Sequence, residues 1–104
     1  MKLFFAAGLL MLSSVSMAAG DAAAGKAKAA TCGACHGANG VSMIPNYPNL
    51  AGQKADYIVA QLKAFNSGER KGANAAIMAP MSANLSEQDM LDLAAYYSEM
   101  EAAK

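Results

Sequence analysis

The run Cys32-Gly33-Ala34-Cys35-His36 constrains this chain more than any other feature. It holds both cysteines and the only histidine of the 104-residue sequence. No second thiol or imidazole exists elsewhere to partner the cluster. Two ordinary explanations fit poorly. A disulfide across two intervening residues closes a very small loop and adds little stability in the loop-entropy picture. Its redox-active version expects a strand–helix–strand setting, and no strand pattern is visible in the sequence. Structural zinc wants four ligands, usually in two pairs, whereas this chain offers a single cluster of three.

The third chemistry is covalent haem attachment, for which Cys-x-x-Cys-His is the pattern. Two thiols one helical turn apart match the separation of the two porphyrin vinyl groups, to which they add as thioethers. His36, next along the chain, is then held beneath the iron as its proximal ligand. One haem c, joined through Cys32 and Cys35, is the expected cofactor. Composition points the same way. After the leader the aromatic residues are only Tyr47, Tyr57, Phe65, Tyr96 and Tyr97, and much of the apolar count is alanine. So small a domain rarely builds a sufficient core alone, and a large flat apolar body would fill its middle.

The N-terminus reads as a secretory leader. Lys2 precedes an apolar run, Leu3 to Leu12, and Ser16-Met17-Ala18 offers a small-x-small cleavage site. The run is shorter than the ~20 apolar residues that span a bilayer, so a stable membrane anchor is not expected. The sequence therefore divides into a signal peptide, 1–18, with cleavage after Ala18 (Ala19 being the alternative), and one domain, 19–104. Export places the protein in the periplasm. Without Lys2 the remainder carries seven basic and eight acidic side chains, which argues against nucleic acid as a partner.

An all-α fold is expected, with three main helices joined by long loops. The first is the alanine-rich Asp21–Thr31, with Asp21 as N-cap and Gly33 near its end. The second is Gln53–Asn66, whose Ile58, Leu62 and Phe65 fall on one face, with Gly68 as its stop. The third is Ser86–Met100, N-capped by Ser86, with Met90, Leu93, Ala94 and Tyr97 as its apolar face. Gly37–Gly52 reads as loop. Glu69–Leu85, which contains Gly72 and Pro80, has no clean period and also reads as mostly loop.

With one histidine bound, the iron is either open or closed by a second side chain. Met90 and Met100 belong to the last helix and its packing. Met43 is too near His36 in sequence to reach the opposite haem face. Met78 and Met81, in "IMAPMSANL", lie at a suitable distance, and physical reasoning leaves the choice between them open. A thioether is a soft ligand that favours Fe(II). A closed site leaves no place for substrate and implies electron transfer, so the chain reads as a carrier and not an enzyme.

The segments "GDAAAGKAKAATCGACHGANG", "PNYPNLAGQ", "YIVAQLKAFNSGER", "MAPM" and "NLSEQDMLDLAAYY" together resemble a class I c-type cytochrome. The similarity is greatest to a single domain of the short bacterial kind, including those in tandem in periplasmic dihaem cytochromes c. The resemblance implies a class I cytochrome c fold wrapped around one covalent haem. It makes Cys32 and Cys35 the thioether positions, His36 the proximal ligand and Met78, ahead of Met81, the second iron ligand. It places the carbonyl acceptor for the histidine Nδ1–H at Pro45, and Arg70 near a haem propionate. It matches Gly25 with Tyr96 or Tyr97 at a close helix crossing. Only one haem motif is present, so a monohaem carrier is implied. Its transient partners would be a membrane respiratory complex and a terminal oxidase or reductase. The rival readings are an open-site haem enzyme or gas sensor, and a haem subunit of an oxidase complex.

Overall fold

The computed structural model describes residues 20–103. The expected leader and its cleavage site lie outside the described residues. Five helices carry the described chain: α1 (Ala22–Lys28), α2 (Ala30–His36), α3 (Ala55–Ser67), α4 (Ala75–Ala83) and α5 (Glu87–Ser98). There is no strand among the described residues.

The first expected helix is present but longer. Asp21 caps it, its carboxylate accepting from the Ala23 N–H at 2.9 Å. Ala29 interrupts α1 and α2 while keeping right-handed helical dihedrals. The helical course therefore passes through Gly33 and ends only at Gly37, where φ is 86°. Gly33 does not stop the helix: its N–H donates to the Ala29 carbonyl at 2.9 Å and its carbonyl accepts from the Gly37 N–H at 3.0 Å. Both cysteines and His36 consequently sit on helix.

The helix α3 ends at Gly68 as expected. Ser86 caps α5 in a reciprocal box, its hydroxyl accepting from the Asp89 N–H while Asp89 accepts from the Ser86 N–H, both at 3.0 Å. The predicted apolar face of α5 is inside: Met90, Leu93, Ala94 and Tyr97 are all buried. Ile58 and Phe65 of α3 are buried with them.

The segment expected to be loop, Glu69–Leu85, is corrected by α4. Pro80 lies inside this helix. Its missing N–H removes a single intrahelical bond, to the Ala76 carbonyl, and the surrounding alanines favour helix enough to tolerate that. No amphipathic period shows because α4 is apolar nearly all round: Ile77 and Met81 are exposed, while Met78 is half-buried.

α1 crosses α5 very closely. A Cβ on Gly25 would lie 2.0 Å from the Asp92 carbonyl oxygen and 2.8 Å from the Tyr96 Cβ, so only glycine fits there. Of the two tyrosines matched to this crossing, Tyr96 is the one in contact. The crossing is clasped by Asp92, an acid only 3 % exposed. It accepts from the Asp21 N–H at 2.8 Å, Lys28 Nζ at 2.6 Å and Gln88 Nε2 at 2.8 Å. Lys28 also pairs with Asp89 at 2.8 Å. These donors hold the Asp92 carboxyl down to about 2, Lys28 first and then the Asp21 amide.

Candidate functional site

The helices enclose a cleft of about 570 Å³. Cys32, Cys35 and His36 of α2 form one wall. Ile77, Met78 and Met81 of α4 contribute another. Ile58, Leu62 and Phe65 of α3, with Leu93 and Tyr97 of α5, supply apolar surface between them. The polar residues Gln61, Arg70 and Asn74 also border the cleft.

His36 is buried at 7 % exposure. Its Nδ1 lies 2.8 Å from the Pro48 carbonyl oxygen. An acceptor there requires the proton on Nδ1, leaving Nε2 with its lone pair free for a metal. The acceptor expected at Pro45 is thus corrected to Pro48. The reason is local: the Tyr47 N–H donates to the Ile44 carbonyl at 3.0 Å, closing a turn with Pro45 in its second position, where proline is favoured. The chain reaches the imidazole only after that turn. Pro45 instead borders the cleft. Nothing in "PNYPN" distinguishes the two prolines before the turn is known. Tyr47, which sequence reasoning left unassigned, sits with its ring 6.3 Å from that of His36.

The loop that carries Pro48 is tied to α2. The Ser42 hydroxyl donates to the Cys35 carbonyl at 3.1 Å, and the Ser42 N–H donates to Asn49 Oδ1 at 2.7 Å. The Leu50 N–H donates to the Gly40 carbonyl at 2.8 Å. This explains a long loop in so small a domain: it holds one carbonyl against one ring.

Cys32 and Cys35 form no disulfide. Burial pushes the Cys32 thiol up, with the Tyr97 hydroxyl acting in the opposite sense. Burial likewise raises the Tyr97 phenol, which stays protonated beside that sulfur. Among the described residues no group of three or more His, Cys, Asp or Glu side chains is arranged to hold a metal ion. The donors suit haem instead: two thiols and one directed imidazole on a wall, thioethers on α4, and a largely apolar space between.

Met78 and Met81 both border the cleft, Met78 the more covered of the two. Met90 is 4 % exposed on α5, Met100 packs on the core, and Met43 stands 95 % exposed. The Arg70 guanidinium lies 4.5 Å from the Phe65 ring centroid, and its Nη1 donates to Gln61 Oε1 at 2.8 Å. That cation is held at the cleft border without a carboxylate partner among the described residues.

An all-α shell with a haem-attachment helix on one wall of an apolar cleft and a methionine helix on another defines a c-type haem domain. Residues 22–101 match the family model described as cytochrome c. The chain is 55 % identical over 83 residues to cytochrome c-554(548) of Halomonas halodenitrificans, covering 80 % of this chain and 100 % of that protein. It superposes with a TM-score of 0.71 on the crystal structure of reduced recombinant cytochrome c4 from Pseudomonas stutzeri, at 44 % identity, covering 82 % of this chain and 48 % of that one. It also matches thiosulfate dehydrogenase from Marichromatium purpuratum, with TM-score 0.73 and 37 % identity, covering 79 % of this chain and 20 % of that one. The chain belongs to the cytochrome c family, with the class I fold. Its cofactor is haem c, bound covalently through Cys32 and Cys35. The chain spans about half the length of the cytochrome c4 that it matches.

Proposed function

We propose that this protein is a periplasmic one-electron carrier of a respiratory chain, exported by residues 1–18 and working with His36 and Met78 as the two iron ligands. The observation that carries this reading is the cleft: donors stand on separate walls, imidazole on α2 and thioether on α4, with apolar side chains between. Two side-chain ligands leave no coordination place for substrate. The haem supplies a reversible one-electron couple, tuned upward by a sulfur ligand.

The protein's residues do the rest. Pro48 fixes the imidazole and strengthens it as a donor. Arg70, stacked on Phe65, sets a positive charge at the cleft border where a propionate carboxylate would be neutralised. Among the described residues no helix is long and apolar enough to cross a membrane. Its partners would be a membrane respiratory complex and a terminal oxidase or reductase, bound through a transient interface below about 1,200 Å². Near-zero net charge gives their association a mild salt dependence.

A second reading, a haem subunit of a larger oxidoreductase, is favoured by the match to one-fifth of a thiosulfate dehydrogenase chain. Co-purification with such a complex would move it ahead. The deciding experiment is the absorption spectrum of exported protein, oxidised and reduced, with a denaturing check for covalent haem. Low-spin haem with the weak far-red band of sulfur-bound ferric iron is the expected result. A high-spin ferric spectrum and rapid CO binding would instead support an open-site enzyme or sensor.

A further inference from the structure

We propose that Asn66 is a positioning residue that latches the methionine-bearing helix over the haem. The proposal rests on the reading that Met78 is an iron ligand.

The argument starts from the weakness of α4. It has nine residues with Pro80 inside, so the Ala76 carbonyl loses its helical partner. So short a helix does not hold itself in water. Its N-cap, Asn74, makes no side-chain bond to the helix it precedes. The Asn74 amide donates instead to the Asn46 carbonyl, at 3.2 Å. Among the helices, α4 packs only on α3. Three of its apolar side chains, Ile77, Met78 and Met81, border the haem cleft, so contact with other helices does little to pin it.

One side chain joins α3 to α4 by hydrogen bonds among the described residues. Asn66 Nδ2 donates to the Ser82 carbonyl at 2.8 Å and reaches the Ala83 carbonyl at 3.5 Å. These close the last turn of α4 together with the Leu85 N–H, which donates to the same Ser82 carbonyl at 3.1 Å. Two carbonyls facing one amide nitrogen also fix which way the amide points. Ser82 is fully buried at 0 % exposure, its hydroxyl donating to the Ala79 carbonyl at 3.0 Å. Ser82 follows Met78 by four residues, which places the two on one face of α4 a single turn apart. Asn66 follows Phe65, which borders the cleft. The latch therefore ties the wall beside the haem to the turn directly below the methionine. The chain needs it because a ferric iron binds a thioether weakly, and a helix free to swing would let the sulfur leave.

The test uses exported holoprotein and imidazole as the probe. Its rate of replacing the methionine at ferric iron is followed by loss of the far-red band. Asn66→Ala removes the donor. Asn66→Asp keeps the shape and sets an acceptor against two carbonyls. Both should exchange about three- to tenfold faster than wild type, the scale of one lost hydrogen bond, with the ferrous spectrum unchanged. Ser86→Ala removes the α5 cap and lowers the melting temperature without touching α4, so its exchange rate should stay within about twofold of wild type. Exchange in both Asn66 variants within that same range, or acceleration by Ser86→Ala to the same extent, overturns the latch. Asn66→Asp alone serves if Asn66→Ala does not load haem. A wild-type protein lacking the far-red band would sink the methionine ligand itself, and the latch with it.

Discussion

At the scale of single residues, the two halves of the haem site are built to different standards. His36 is buried, and one carbonyl fixes its proton and ring. On α4 two thioethers three residues apart border the same cleft, so a side chain must be removed to tell ligand from neighbour. Met78→Ala should abolish the far-red band, convert the ferric iron to high spin and lower the reduction potential. Met81→Ala should keep the band and shift the potential only slightly, since Met78 would still supply the sulfur ligand. Spectra and a redox titration of the two variants check this, and the reverse pattern would transfer the ligand to Met81. The His36 and cysteine positions were legible because a single motif fixes all three. Pro48 was not legible, because a four-residue turn decides which of two prolines meets the ring.

At the scale of elements, the helices that could be read in sequence are those with caps and a one-sided apolar face. α5 shows both, and α3 shows the face and the glycine stop. α4 shows neither, since it borders the cleft, touches α3 and still exposes apolar side chains, so the usual breaking rule for proline misled. The clasp between α1 and α5 was equally silent, because nothing in the sequence marks Asp92 as buried. Its consequence is measurable. The Asp92 carboxyl is held at about 2 in the fold, against roughly 3.9 in an unfolded chain. A depressed folded value means that its contribution is present above about pH 4 and is lost as pH falls toward 2. Thermal melts of the holoprotein should drop steeply across that interval. Asp92→Asn should melt lower at neutral pH and show a shallower fall on acidification. Equal slopes for both proteins would show that other carboxyl groups, not this clasp, govern acid stability.

At the scale of the whole molecule, the question is what the helices fold around. The buried apolar residues are Ala29, Ala51, Ile58, Phe65, Met90, Leu93, Ala94 and Tyr97. Three of these are alanines, which bury little area each, and a cleft of about 570 Å³ borders Ile58, Phe65, Leu93 and Tyr97. Hydrophobic stabilisation scales with apolar area removed from water, and so few buried side chains make a poor core for the protein alone. Haem supplies the missing apolar faces, and its two thioether bonds tie it to α2. The double variant Cys32→Ser/Cys35→Ser, exported in the same host, should therefore lack covalent haem and a cooperative unfolding transition, whereas the wild-type holoprotein melts sharply. Calorimetry and near-ultraviolet circular dichroism test this directly. Helical signal in the far ultraviolet without fixed tertiary signal would identify a loosely packed state, as expected for a shell without its centre. A sharp endotherm from the haem-free chain would mean that the α1–α5 clasp and the α3–α5 packing suffice for folding, and that haem occupies a pocket already formed.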